Sequence, residues 1–464
     1  MPSGLWEGCK LNLPKESDCI SGSHYLWEDP PDEEKYSQCV HCGLCLESCP
    51  TYQEMGQEQQ SPRGRVHLIK AAAEGKIQLN EAFSNPIFTC LDCRACETAC
   101  PAGVQVGLLI EEARGQIRQA IPLKGWRKWI SSLFFRKVFP YPSRLQLLGK
   151  LLRFYQKSGL RTLLHRIGLL RVVPSHLRAM EAILPEAKPS VLSTYPTTIK
   201  SSLGETKRRV ALFTGCVMDV IFSDVHEATI RVLARNGSEV VIPREQRCCG
   251  ALHIHAGDRQ TGKRLARENI DAFLTAGVDT IIVNSAGCGC ALKEYPELLH
   301  SDPVYRQKAE RFSAKVEDIS KFLHQVGYEK PEAHLDTQVA YHDACHLAHG
   351  QGIREEPRQL LQQIPGVKLL ELPDADRCCG SAGIYNLTNP EMAEALLDRK
   401  MDDIPREAEW ITMGNPGCML QVAKGVKKHG HKGRVVHTIQ LLDWAYAQET
   451  DRSLERDQVA GQRR

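Results

Sequence analysis

The chain has 464 residues, 42% hydrophobic and 25% charged, which is the composition of a globular protein with two to four domains rather than of a disordered one. Its formal net charge of +3 is too small to point to nucleic acid, so no nucleic-acid partner is expected. No apolar run reaches the roughly 18 residues that crossing a bilayer requires.

The 19 cysteines set the problem. The opening MPSGLWEGCKLNLPKESDC has no basic stretch followed by an apolar one, so a cytoplasmic location is expected. In a reducing compartment, many thiols at short regular spacings point to metal rather than to disulfides. Residues 1–35, rich in Pro, Ser and Glu, read as a loose extension. Cys9 and Cys19 within it match no later spacing and are expected to be unliganded.

Residues 36–118 form the first cysteine domain. Cys39-Val-His-Cys42-Gly-Leu-Cys45-Leu-Glu-Ser-Cys49-Pro50 recurs as Cys90-Leu-Asp-Cys93-Arg-Ala-Cys96-Glu-Thr-Ala-Cys100-Pro101, every cysteine shifted by 51 positions. This is the spacing of bacterial ferredoxins, in which three close thiolates wrap one cubane and the fourth reaches the other cluster. It assigns one [4Fe–4S] cluster to Cys39, Cys42, Cys45 and Cys100, and a second to Cys49, Cys90, Cys93 and Cys96. Pro50 and Pro101 are expected to stop short helices. Zinc on paired CxxC motifs is the alternative, but it does not account for a third cysteine, a fourth and a proline, twice. In the intervening SPRGR, Arg63 and Arg65 offer charge to offset a cluster, although a basic turn opening a surface helix is the plainer expectation for each.

Residues 119–207 are a basic helical region and linker. Positions 121–180 hold 13 Lys and Arg and no Asp or Glu, interleaved with Trp, Phe and Leu. Helical spacing there predicts an apolar and a cationic face, suited to an anionic membrane surface or an acidic partner, or else a core-packing linker with a solvated rim. PEAKPSVLSTYPTTIKSSLGETK at 185–207 reads as the linker itself.

Two repeated units follow, at 208–330 and 331–446, before a polar tail at 447–464. Cys216, Cys248, Cys249 and Cys288 recur as Cys345, Cys378, Cys379 and Cys418, shifted by 129, 130, 130 and 130 positions. RRVALFTG, SEVVIP and DTIIVNS predict strands, VHEATIRVLARNG a helix ending at Gly237, and QVAYHDA, VKLLELP and EWITMGN the second set of strands. The fold class expected is α+β and multidomain: a helical ferredoxin domain, then two α/β units with mainly parallel sheets and cysteines beyond the carboxyl ends of strands. Two thiolates on one CCG turn, closed by Gly250 or Gly380, can grip a compact cluster, with Cys216 and Cys288, or Cys345 and Cys418, as further soft ligands. The first unit has a spare thiol, Cys290, where the second has none. Iron–sulfur and zinc both remain open for these sites. His253, His255, His342, His346 and His349 are candidates for an extra ligand or a proton carrier, against a plain structural role, and Asp343 for orienting one of them.

With these motifs in hand, the chain resembles the iron–sulfur subunits of bacterial glycolate oxidase (glycolate dehydrogenase). The resemblance spans nearly all of residues 36–446. It rests on the two ferredoxin motifs, SPRGR, the two CCG units, NSAGCGCALKEY and CCGSAGIYNLTNPEMA. Heterodisulfide reductase, anaerobic glycerol-3-phosphate dehydrogenase and lactate-utilisation proteins share the modules. The resemblance implies FAD-binding glycolate oxidase subunits as partners and FAD on those partners alone. It also implies electrons carried onward through two [4Fe–4S] clusters, to a quinone acceptor or a membrane met peripherally at its inner face. Many CCG units end in CxxC, whereas here the first ends in CGC and the second in a lone Cys418. No nucleotide-binding glycine loop or acyl-transfer constellation is present, so no catalytic residue is assigned and substrate oxidation is expected on a partner. A lactate or glycerol 3-phosphate complex, a disulfide reductase with catalytic CCG clusters, and a zinc-bound scaffold are the alternatives, in that order.

Overall fold

The computed structural model describes residues 20–26, 28–121, 125, 132–167, 178, 181 and 186–461. Cys9, Cys19 and parts of the basic region lie outside them. Two compact units emerge, and neither is continuous along the chain.

The first unit comprises Met1–Lys137 together with Gly250–Gly262 and Gly380–Leu396, the two segments that begin at the glycine of each CCG. It is helical. Ser61 caps the helix Pro62–Ala73 by accepting from the Gly64 N–H at 3.0 Å, with Pro62 at the first position, where its missing donor costs nothing. Asn80 caps Glu81–Thr89 in the same way, and Val106–Ala120 follows. Val66, Ile69, Phe83, Ile87, Leu109, Ala113 and Ile117 recur at helical spacing and close one core. Residues 20–35 are not the loose extension that composition predicted. Tyr25 is buried, its hydroxyl donates to the Ile69 carbonyl at 3.0 Å, and the Leu26 N–H donates to Gln116 Oε1 at 2.7 Å. One aromatic anchor outweighs a polar neighbourhood. Tyr385 likewise donates to the Thr89 carbonyl at 2.9 Å, across 296 positions of sequence.

Among the described residues the second unit carries nine strands: β1 (Thr198–Ile199), β2 (Arg208–Phe213), β3 (Ser238–Val241), β4 (Thr280–Val283), β5 (Val316–Asp318), β6 (Thr337–Tyr341), β7 (Val367–Leu370), β8 (Trp410–Met413) and β9 (Arg434–His437). They form two sheets, ordered β1-β3-β2-β4-β5 and β7-β6-β8-β9, parallel throughout except where β1 runs antiparallel to β3. The duplication read from cysteine spacing is therefore a duplication of topology, β3-β2-β4-β5 matching β7-β6-β8-β9. Val210, Leu212, Val240 and Ile282 of one sheet share a core with Val339, Tyr341, Ile411 and Met413 of the other. Fully burying an aliphatic side chain contributes about 1.5–3 kcal/mol, so these central strands hold the unit together.

The stretch 185–207 is more than a linker. It supplies the edge strand β1, and Arg244 donates to the Leu192 and Tyr195 carbonyls. Among the described residues the second copy has no such strand, and β7 is left only partly buried. The loops after β4 and β8 lie side by side: the Ala286 N–H donates to the Gly414 carbonyl at 2.9 Å and the Gly287 N–H to Asn415 Oδ1 at 3.3 Å. Cys288 and Cys418 follow those loops, so the cysteines sit beyond the carboxyl ends of the strands, where open parallel sheets place ligands.

Candidate metal centres

In the helical unit the two cysteine runs adopt one backbone pattern. His41 and Asp92, two residues after the first cysteine of each run, are left-handed, with φ of 55° and 54°. Gly43 and Arg94, one residue after the second cysteine, are left-handed too, at 89° and 64°. Three of these four are not glycine, and such strain persists only where something imposes it. Cys49 of the first run lines the same cavity as Cys90, Cys93 and Cys96 of the second. Burial and the neighbouring thiols Cys93, Cys90 and Cys49 push the Cys96 thiol well up, and burial raises Cys90 against the pull of Arg65 and Arg114. A metal binding here would displace the thiol protons, and clustered thiolates are the donor set an iron–sulfur cluster takes.

Cys39, Cys45 and Cys100 are half-buried and Cys42 is exposed. Burial raises Cys45, with Cys39 and Cys49 adding to the effect. Pro50 does not stop a helix. It occupies the first position of Pro50–Met55, with Cys49 as the cap, because a proline is as well placed opening a helix as closing one. Pro101 does follow the short helix Ala95–Thr98.

SPRGR now has a physical reading. Ser61 and Pro62 start the helix, and Gly64 passes so close to the preceding turn that a Cβ there would lie 2.0 Å from the Glu58 carbonyl oxygen. That approach carries Arg65 inward, where it is 1% exposed. Arg65 Nη1 lies 3.7 Å from Cys49 Sγ, Nε donates to the Pro86 carbonyl at 2.8 Å, and Nη2 donates to Thr51 Oγ1 at 2.9 Å and Gln60 Oε1 at 3.1 Å. No carboxylate pairs with it among the described residues. A buried cation without an anion costs several kcal/mol, roughly, and a cluster bound by these thiolates would supply the missing charge. The surface-helix expectation thus fails for Arg65. It fits Arg63, which is paired with Glu58 at 2.6 Å and donates to the His41 carbonyl at 3.1 Å.

His255 also belongs to the helical unit. Its Nδ1 lies 2.9 Å from Asp92 Oδ2 and 3.2 Å from Glu111 Oε1. Burial alone would lower it, but the two carboxylates outweigh burial and hold it up to about 9. Arg94 approaches Asp92 at 3.9 Å and Glu111 at 3.7 Å, so two cations balance two anions and this trio is an ion-pair network rather than a metal site.

In the first repeat four thiols converge. Cys248 and Cys216 lie 3.6 Å apart and Cys249 and Cys288 3.3 Å apart, all near the carboxyl ends of strands. Contacts among the thiols, then burial, push Cys216 and Cys249 well up. Gly250 and Gly380 are both left-handed, at φ 87° and 84°, as the tight turn requires. Two residues not singled out in the sequence pin the paired cysteines. Asn269 Nδ2 donates to the Cys248 carbonyl at 3.0 Å, and the Tyr295 hydroxyl to the Cys249 carbonyl at 2.9 Å. Tyr295 is the tyrosine of the KEY run, the one signal that pointed to it. Cys290 is buried beside Glu294, its sulfur 3.7 Å from Oε1.

In the second repeat Cys379, Cys418 and His342 bring donor atoms within 4.8 Å of one another, all three buried. Asn415 Nδ2 donates to Cys418 Sγ at 3.3 Å. Cys378 and Cys345 are buried as well, and His346 Nδ1 stands 3.7 Å from Cys345 Sγ. Lys400, fully buried, donates to the Asp374 and Ala375 carbonyls and acts electrostatically on Cys379 and Cys378. His349 is held by Arg354 at 3.0 Å and the Asp376 carbonyl at 3.3 Å, while His253 is buried in the helical unit. Among the described residues no histidine is hydrogen-bonded to Asp343. Arg358, fifteen positions on, takes both its oxygens at 2.9 and 2.7 Å, a pairing that only the folded chain brings about.

Family models match along the chain: a 4Fe-4S dicluster domain over residues 35–104, a glycolate oxidase iron-sulfur subunit linker region over 126–184, and a cysteine-rich domain twice, over 210–293 and 339–423. A probable glycolate oxidase iron-sulfur subunit of Bacillus subtilis is 43% identical over 417 residues, covering 89% of this chain and 94% of the relative. The glycolate oxidase iron-sulfur subunit of Escherichia coli is 32% identical over 419 residues, with coverage of 89% and 94%. A lactate utilization protein A of Geobacillus kaustophilus is 31% identical over 237 residues, 51% of this chain and 98% of the relative.

Proposed function

Because the chain belongs to the family of glycolate oxidase iron–sulfur subunits, we propose that it takes electrons from a partner flavoprotein that oxidises glycolate to glyoxylate and passes them to a quinone at the membrane. Iron–sulfur clusters, when bound, supply one-electron acceptors to a flavin that collects electrons in pairs. The observation that carries the reading is the cavity shared by Cys49, Cys90, Cys93 and Cys96, with Arg65 buried beside it and lacking a carboxylate. In this reading Cys39, Cys42, Cys45 and Cys100 hold one cluster and Cys49, Cys90, Cys93 and Cys96 the other. Arg65 and Arg114 offset charge there, and Arg114 also fixes the backbone by donating to the Ile87 carbonyl at 3.2 Å and the Cys90 carbonyl at 2.5 Å.

The basic region supports contact with an anionic membrane surface. The helix Pro142–Lys157 exposes Leu147, Leu148, Leu151 and Phe154, and Leu160, Leu163 and Ile167 are exposed just after it, among Arg144, Lys150, Arg153, Lys157 and Arg161. No helix among the described residues is long and apolar enough to cross a membrane, so contact would be peripheral.

The test is anaerobic co-purification with flavin-binding glycolate oxidase subunits, followed by EPR after adding glycolate, lactate or glycerol 3-phosphate. Cluster reduction by glycolate above the other two is expected, and no reduction by glycolate overturns the substrate. Flotation with anionic and neutral vesicles tests the surface, and failure to bind either overturns it.

A further inference from the structure

The two cysteine repeats share register and topology but not donors. The first gathers four thiols, with Phe213 buried at the end of β2. At the same place in the second repeat, directly after β6, stands His342. Its backbone N–H donates to the Thr412 carbonyl of β8 at 2.9 Å, so the sheet fixes where the ring starts. Its Nδ1 lies 3.0 Å from the Ala375 carbonyl. That contact places the proton on Nδ1 and leaves Nε2 as a lone-pair donor. Nε2 is buried and has no hydrogen-bond partner among the described residues. A side chain that is 0% exposed and keeps an orphaned acceptor asks for an occupant. Cys379 Sγ and Cys418 Sγ gather with the ring of His342, one donor atom from each residue lying within 4.8 Å of the others, and Nε2 is the ring nitrogen left to bind.

We propose that the second repeat holds an iron–sulfur cluster through His342 Nε2 together with Cys379 and Cys418, so that the two repeats are chemically different centres, the first all-thiolate and the second mixed. The proposal rests on the reading that the cysteine repeats bind clusters at all. Imidazole and thiolate are both ligands iron accepts, and their convergence at one buried point is the arrangement such a site needs. It also accounts for a sequence difference. The second repeat has Leu420 where the first has its spare thiol Cys290, and a nitrogen replaces the sulfur it lacks. Replacing an anionic thiolate by a neutral imidazole makes a cluster easier to reduce, as histidine-ligated centres are relative to all-cysteine ones. The second repeat would then be the higher-potential site of the pair.

The test uses the full chain, purified anaerobically with its clusters, from cells grown on 15N-histidine or unlabelled medium. Metal content, pulsed EPR and potentiometric titration are read for the native chain, His342→Phe and His342→Cys. The phenylalanine copies the residue that the first repeat already buries at this place, and circular dichroism confirms that each variant folds. The native chain should contain iron beyond the about eight atoms of two cubanes, with a nitrogen coupling that changes on 15N-histidine labelling. His342→Phe should lose that coupling together with iron from one centre. His342→Cys should retain the iron, lose the coupling and show a lower potential for that centre. A coupling absent from the native chain, or persisting in His342→Phe, overturns the ligand. Zinc in place of iron overturns the cluster. Iron at about eight per chain removes the second-repeat centre while leaving the two-cubane electron carrier intact, and iron below that undermines both.

Discussion

Arg65→Met removes a buried cation in contact with Cys49 while keeping a long side chain to fill its space. At the 3.7 Å between Nη1 and Cys49 Sγ, two unit charges interact by about 4 kcal/mol at an effective dielectric constant of about 20. An electron added to a cluster is spread over its core and four sulfurs, so about half of that, about 2 kcal/mol, is the share Arg65 contributes to reduction. For a one-electron couple this corresponds to a potential lowered by about 100 mV. The assay is an EPR-monitored redox titration of both [4Fe–4S] signals in the native chain and the variant. One signal should move down, that of the cluster on Cys49, Cys90, Cys93 and Cys96, and the other should stay within about 20 mV. Both signals unmoved, or a rise, would refute the claim that Arg65 acts as the charge partner of this cavity. Lysine at this position should keep part of the shift, since it retains the charge but cannot reproduce the forked contacts to Thr51 and Gln60.

Burial holds His226 and His437 down to about 4, and both contact Asn284, one through the side-chain amide and the other through the carbonyl. Their folded values lie below the unfolded one, so unfolding takes up protons between about pH 4 and 6.5 and stability falls on acidification through that window, by about 2 kcal/mol for each at pH 5. Urea unfolding at pH 7 and pH 5 should show this, with a smaller loss in His226→Asn; equal losses in both proteins would contradict it. Gly64→Ala sets a methyl 2.0 Å from the Glu58 carbonyl oxygen and should cost about 2–3 kcal/mol, read as a lower unfolding midpoint and reduced iron content. Tyr295→Phe removes the donor to the Cys249 carbonyl and the acceptor for Asn269 at 3.1 Å. It should cost about 1–3 kcal/mol and lower metal retention in the first repeat, and unchanged iron on dialysis against chelator would show that Tyr295 does not support that site.

What could be read from the sequence was local or periodic. The strands RRVALF, TIIV and WITM announce themselves as short buried runs, and the doubled cysteine spacings carry their register with them. Val316–Asp318 and Arg434–His437 carry no such mark, so three strands of each sheet were foreseeable. The contribution of Thr198–Ile199 to an edge was not, because two residues have no periodicity. Arg65 looked like a surface residue, since nothing in SPRGR says that Gly64 permits a close approach and turns the next side chain inward. Asp343 could not disclose Arg358, nor Cys249 its hold on Tyr295, for both pairs form only when separate elements pack. His342 stood among five candidate histidines, and only the fold distinguishes one beside two thiols from one held by Asp92 and Glu111.

The make-up of the helical unit bears on how the protein is made. Its longest segment, Met1–Lys137, leaves the ribosome early, but Gly250–Gly262 and Gly380–Leu396 complete it. His255 arrives to neutralise Asp92, and Tyr385 to bind the Thr89 carbonyl, only when most of the 464 residues have been synthesised. Until then Asp92, in the loop between Cys90 and Cys93, and Glu111 have Arg94 as their one cation of this network, so the cavity these cysteines line matures late. Iron insertion into that cavity should therefore follow translation of the second repeat, and a fragment ending near Lys137 should bind its second cluster less firmly than the whole chain does.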